Sequence, residues 1–144
     1  ENGTARGPQG SKSGGMMETA LRARLLADAG VSALAGTRID WGVRPQGTTA
    51  PCIVLTVVAD SRSQHMAGFD GFRSTRVQID CYALKKAQSV ALREAVITAL
   101  IGEATQSGVT FLRAFLNTVL DRGEQTETGF IHRELIDLNL WHDG

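Results

Sequence analysis

The sequence predicts an α+β domain: a mainly antiparallel sheet of about five strands with two helices packed on one face, in the order α-β-β-β-α-β-β. Three observations carry that expectation. Two segments repeat apolar residues at helical spacing, several others alternate every second residue or run in β-branched stretches, and neighbouring strand segments are joined by loops rather than helices.

Residues Glu1 to Gly15 contain no leucine, isoleucine, valine or aromatic residue and are rich in glycine, serine and charge. Such a segment buries too little to offset its ordering entropy, so a flexible leader or expression remnant is expected, with Met16 or Met17 as a native start. One domain then fills 16–144. From Met17 to Ala29, Met17, Leu21 and Leu25 form an apolar stripe widened by Ala20, Leu26 and Ala29, with Arg22, Arg24 and Asp28 directed elsewhere. Gly30 suits a C-cap, and Val31 to Ala35 add a short helical turn closed by Gly36.

Ile39, Trp41 and Val43 alternate with Asp40 and Gly42, which predicts a short strand before the breaker-rich stretch Pro45 to Pro51. The β-branched run Cys52 to Ala59 predicts a strand covered on both faces. Asp60 to Gly71 has few core-forming residues and is expected to be a long functional loop. Thr75, Val77, Ile79 and Cys81 then alternate with Ser74, Arg76, Gln78 and Asp80, so a long strand should bury one face and turn the other to water or a polar partner.

Lys85 to Ile101 has the clearest helical pattern: Ala87, Ala91, Ala95 and Ala99 run beside Leu92, Val96 and Leu100, an alanine line suited to close approach to a sheet. Val109 to Leu120 and Phe130 to Trp141 complete the strands, joined by Asp121 to Gly129. In the last strand Ile131 and Leu135 oppose Ile136, Leu138 and Leu140, which requires either a bulge near Leu135 or apolar groups on both faces.

At 144 residues, 42% hydrophobic and 21% charged, the chain is expected to form a packed core. Lysine plus arginine (15) equals aspartate plus glutamate (15), so no global field draws it to nucleic acid or an anionic membrane, and the longest apolar run, Cys52 to Ala59, is too short to span a bilayer. His65, His132 and His142 are scattered, and neither Cys52 nor Cys81 has zinc-ligand spacing, so surface or structural roles are expected for the histidines and no metal site is assigned. Ser61 and Ser63 lack a nucleophile elbow, and Gly68 to Gly71 lacks the lysine and following helix of a phosphate loop, so neither an enzyme activity nor a cofactor is assigned. Were the strands around the long loop paired as a hairpin, Cys52 and Cys81 would be near neighbours, leaving buried thiols or a disulfide as alternatives.

Taken in order, these pieces resemble the tail-terminator, or tail-completion, family of long-tailed bacteriophages and gene transfer agents. The matching segments are Leu21-Arg22-Ala23-Arg24-Leu25-Leu26, Gly36-Thr37-Arg38-Ile39, Ala50-Pro51-Cys52-Ile53-Val54-Leu55, Asp70-Gly71, Arg76-Val77-Gln78-Ile79-Asp80-Cys81-Tyr82-Ala83 and Ala91-Leu92-Arg93-Glu94-Ala95-Val96. The resemblance implies a structural virion protein, found at the tail end or neck after assembly in the host cytoplasm. It implies a ring, usually a hexamer, that caps the tail tube, stops its polymerisation and offers a surface to the head-tail connector. No enzyme or cofactor is implied. Partner contacts are then expected from Arg62, His65, Phe69 and Asp70 in the long loop, and from Arg122 and Glu124 in the segment Asp121 to Gly129. The alternatives are a neck or head-completion joining protein, and a small ligand-binding or enzymatic domain with a deep polar pocket.

Overall fold

The computed structural model describes residues 12–42, 50–61, 73–126 and 129–143. Helix α1 (Lys12–Ala27) buries Met17, Ala20, Leu21, Arg24 and Leu25, steps of three and four residues that form one stripe. Of the segment expected as a leader, residues 1–11 lie outside the described residues, and the backbone of α1 begins at Lys12. The single helix expected over Met17 to Ala29 is interrupted at Asp28, whose side chain caps α2 (Ala29–Ala35) by accepting a 3.0 Å hydrogen bond from the Val31 amide. Gly30 therefore lies inside α2, and Gly36, at φ 61°, closes it.

The strands are β1 (Ile39–Trp41), β2 (Cys52–Ser61) and β3 (Arg73–Ala83), followed by helix α3 (Lys86–Leu100). Then come β4 (Ala104–Gln106), β5 (Val109–Phe111), β6 (Phe115–Asp121), β7 (Glu124–Thr126) and β8 (Gly129–His142). Among the described residues this makes three helices and eight strands where two and about five were expected; the α+β class and the mainly antiparallel sheet stand. The sheet runs β1-β2-β3-β8-β5-β4, and β6 and β7 also pair with β8. The exception to antiparallel pairing is β1, which lies parallel to β2 with Ile39 opposite Ile53.

Val109 to Leu120 is two strands rather than one. The chain turns at Leu112 to Ala114, where the Leu112 amide bonds Trp141 O and the Ala114 amide bonds Ile101 O. A two-residue turn, Ser107 and Gly108, both at positive φ, joins β4 to β5.

Strand β8 keeps one register against β3 from Arg73↔His142 to Ala83↔His132. It has no bulge there; the extra residues are Val58 in β2 and Asn117 in β6. Of the two readings of the last strand, apolar groups on both faces is the one the register selects.

All three helices cover one face. Their Leu21, Leu25, Val31, Leu92, Val96 and Leu100 join Ile53, Leu55, Val77, Ile79, Cys81, Ile136, Leu138 and Leu140 of the sheet in one core. The stripe that α3 buries is Ser89, Leu92, Val96 and Leu100, while Ala87 and Ala91 are exposed. Of the alanine line it is Ala95 that meets α2, where a Cβ added to Gly30 would lie 3.7 Å from its own.

Cys52 pairs with Tyr82 and Cys81 with Ile53, so the two thiols sit one residue out of register on opposite faces. Both are buried and neither forms a disulfide, as opposed Cβ vectors require. Burial pushes the Cys81 thiol far above its ordinary range.

Candidate docking surfaces

The face of the sheet away from the helices carries Arg76, Gln78, Asp80, Tyr82, Arg133, Leu135, Asp137, Asn139 and Trp141, the alternate residues of β3 and β8. Its charges satisfy one another. Arg76 reaches both carboxylate oxygens of Asp137, with Nε at 3.0 Å from Oδ1, and holds that carboxyl below its usual range. Arg133 Nε donates to Asp80 Oδ1 at 2.9 Å while its guanidinium lies 5.7 Å from the Tyr82 ring centre, and Gln78 donates to the other oxygen of Asp80. The polar partner expected for the β3 face is thus β8 itself.

On the helix side one carboxylate is buried in the core. Glu134 is 1% exposed and accepts from Lys86 Nζ and Arg93 Nη1, each at 2.8 Å, so two cations of α3 pin the helix to β8. Lys86 also bonds Asp121 at the end of β6, which holds the Asp121 carboxyl below its usual range. Arg24, expected on the solvated side of its helix, lies on the buried stripe at 8% exposure: its guanidinium donates to Gly102 O at 2.7 Å and lies 5.3 Å from the Phe111 ring centre. Burial lowers its pKa, against the opposing pull of Asp28.

Strand β6 is the least covered part of the sheet. It pairs with β8 along one edge, and Phe115 (57%), Leu116 (43%) and Leu120 (36%) are exposed. Phe115, Leu112 and Trp141 line an open groove of about 350 Å³ with Glu103 and Arg113 on its rim. An edge strand of this kind is normally blunted by charge or covered, and exposed apolar area of this kind marks contact surfaces. Sequence reasoning misses this feature because Val109 to Leu120 is expected as one continuous strand; the adjacent Phe115 and Leu116, which cannot share one face, are the available signal.

Of the expected partner residues, Arg62, His65, Phe69 and Asp70 lie outside the described residues. Arg122 and Glu124 are exposed and sit where β6 passes into the β7–β8 hairpin, the Arg122 amide donating to Arg133 O at 2.7 Å and Glu124 pairing with Ile131. Gly123 between them lies under Phe130, whose ring stands edge-on to His132 at 4.9 Å. His142 is buried and shares a 2.7 Å hydrogen bond with Thr75 Oγ1, a structural role, and His65 is outside the described residues. Among the described residues no three His, Cys, Asp or Glu side chains are grouped to hold a metal ion, and no helix is long and apolar enough to cross a membrane.

Comparison with known proteins is informative at two levels. The family described as tail completion protein gp17 matches residues 19–136. Among solved structures, a chain of "Virion of native gene transfer agent (GTA) particle" superposes with a TM-score of 0.67 at 21% sequence identity, covering 91% of this chain and 97% of that one. At that identity the likeness concerns the fold. No curated protein matches.

Proposed function

The chain belongs to the tail completion protein gp17 family, a structural family of tail assembly, and from that premise we propose that it caps the end of the tail tube as an oligomeric ring. In this reading the ring, a hexamer, stops tube polymerisation and presents a docking surface to the head-tail connector, which places the protein at the tail end or neck of the virion. Its work is contact rather than chemistry.

The observation that carries the reading is the family match over residues 19–136, a span that runs from within α1 into β8. Two structural features support it. The charges of the outer sheet face are consumed internally by the Arg76–Asp137 and Arg133–Asp80 pairs, and apolar area is left on the β6 edge, a pattern suited to protein contact. The segment Asp60 to Phe72, with Arg62, His65, Phe69 and Asp70, and the β7–β8 hairpin, with Arg122 and Glu124, are proposed to meet the tube or the neighbouring subunit.

A capping assay tests this directly. Added to growing tail tubes, the protein should arrest elongation and decorate one end. Deletion of Ser63 to Gly68 should abolish arrest while leaving the circular-dichroism spectrum and Tm unchanged; a deletion variant that still arrests tubes would remove the loop from the docking surface.

A further inference from the structure

Two apolar features lie at opposite ends of the β3–β8 ladder. At one end Ser74 pairs with Trp141, and there the groove of Leu112, Phe115 and Trp141 opens, rimmed by Glu103 and Arg113. At the other end Ala83 pairs with His132, and the next residue, Leu84, is 64% exposed, the highest value among the large hydrophobic side chains described. Lys85 follows it and is also exposed. The eleven residues of β3 separate the two ends by about 35 Å at the usual rise per residue, so a subunit cannot fill its own groove with its own knob.

We propose that the Leu84 corner of one copy of this chain seats in the Leu112–Phe115–Trp141 groove of the next, with Lys85 facing Glu103. The inference rests on the ring reading above and supplies its subunit contact. Charge selects this occupant. Among the described residues neither Lys85 nor Glu103 has an ion-pair partner, whereas Lys86 is already held by Asp121 and Glu134; the corner thus brings one unpaired cation to a groove that carries one unpaired carboxylate beside the equally unpaired Arg113, and the pairing requires Lys85 to approach from the Glu103 side. A knob and a groove on different parts of one subunit form a heterologous contact: each added copy leaves one knob and one groove free, and growth ends only when the rotation between copies closes a ring.

Sedimentation velocity of the full chain tests the contact. Wild type should form a discrete oligomer. Leu84→Asp and Phe115→Asp, each checked for folding by circular dichroism, should sediment as monomers. An equimolar mixture of the two should form dimers and nothing larger, because one variant keeps its groove and the other its knob. Lys85→Glu and Glu103→Lys should each weaken association at least tenfold, with recovery when both are placed in one chain. The proposal is overturned by a monomeric wild type, by either aspartate variant assembling normally, or by a mixture that stays monomeric. It is equally overturned if Phe115→Asp oligomerises yet no longer binds tubes, which would give the groove to the tube protein. Wild-type oligomers that obey the mixing rule but fail to arrest tubes would uphold the contact and refute the capping reading.

Discussion

Glu134 shows how much of this fold is settled by single ionic residues. A carboxylate 1% exposed in the core would be strongly disfavoured alone, and Lys86 and Arg93 make its burial tolerable. Glu134→Gln keeps the shape but removes the charge that both cations address, and should lower the unfolding free energy by about 1–3 kcal/mol in urea titration. An unchanged midpoint would mean that Lys86 and Arg93 are satisfied by water and by their other partners, Asp121 and Glu94. Asp137 gives the acid response. Its folded pKa is depressed by Arg76, so its contribution is present above the unfolded carboxylate pKa and is lost as pH falls through the lower folded value. Tm should therefore fall on acidification below the ordinary carboxylate range, and Asp137→Asn should fall less steeply over that window; parallel curves would contradict the assignment. These residues were poorly legible in the sequence. Asp80, Glu134 and Asp137 look like solvated alternates in the strand patterns, and Arg24 like the polar side of a helix, because their partners lie on other elements and leave no local signature.

The elements were more legible, since their signals are local. The stripe Leu92, Val96 and Leu100 and the alternation Thr75, Val77, Ile79 and Cys81 faced the core as expected. The ends were less so, because caps and breaks depend on particular hydrogen bonds. Asp28 splits one periodic segment into α1 and α2, and Asp28→Ala should cost about 1 kcal/mol through loss of the Val31 amide bond. Gly36, at φ 61° and ψ −126°, occupies backbone space that other residues enter at a cost of about 1–3 kcal/mol, so Gly36→Ala should destabilise by that amount. Thermal and urea unfolding of both variants check the pair; a Gly36→Ala protein as stable as wild type would show that the α2 end relaxes. The break between β5 and β6 had no cap or glycine to mark it, only the adjacent apolar pair Phe115 and Leu116. It is imposed by the Trp141 and Ile101 carbonyls, far away in sequence.

At the scale of the whole molecule, the class was legible because periodicity and loop content determine which layers can pack. The parallel β1 and the pairing of β3 with β8 were not, since such partners are chosen by long-range contacts that no segment encodes alone. The exposed β6 edge follows from that pairing, and so does the separation of groove and knob along one ladder. A chain built this way has a neutralised sheet face, a bare edge and no internal use for its apolar ends, which fits the proposed role in assembly. In the proposed function this protein terminates the tube. The most direct test is tail length, measured by electron microscopy in particles produced without the protein. Overlong, unterminated tubes are expected; tails of normal length that merely lack heads would contradict the account.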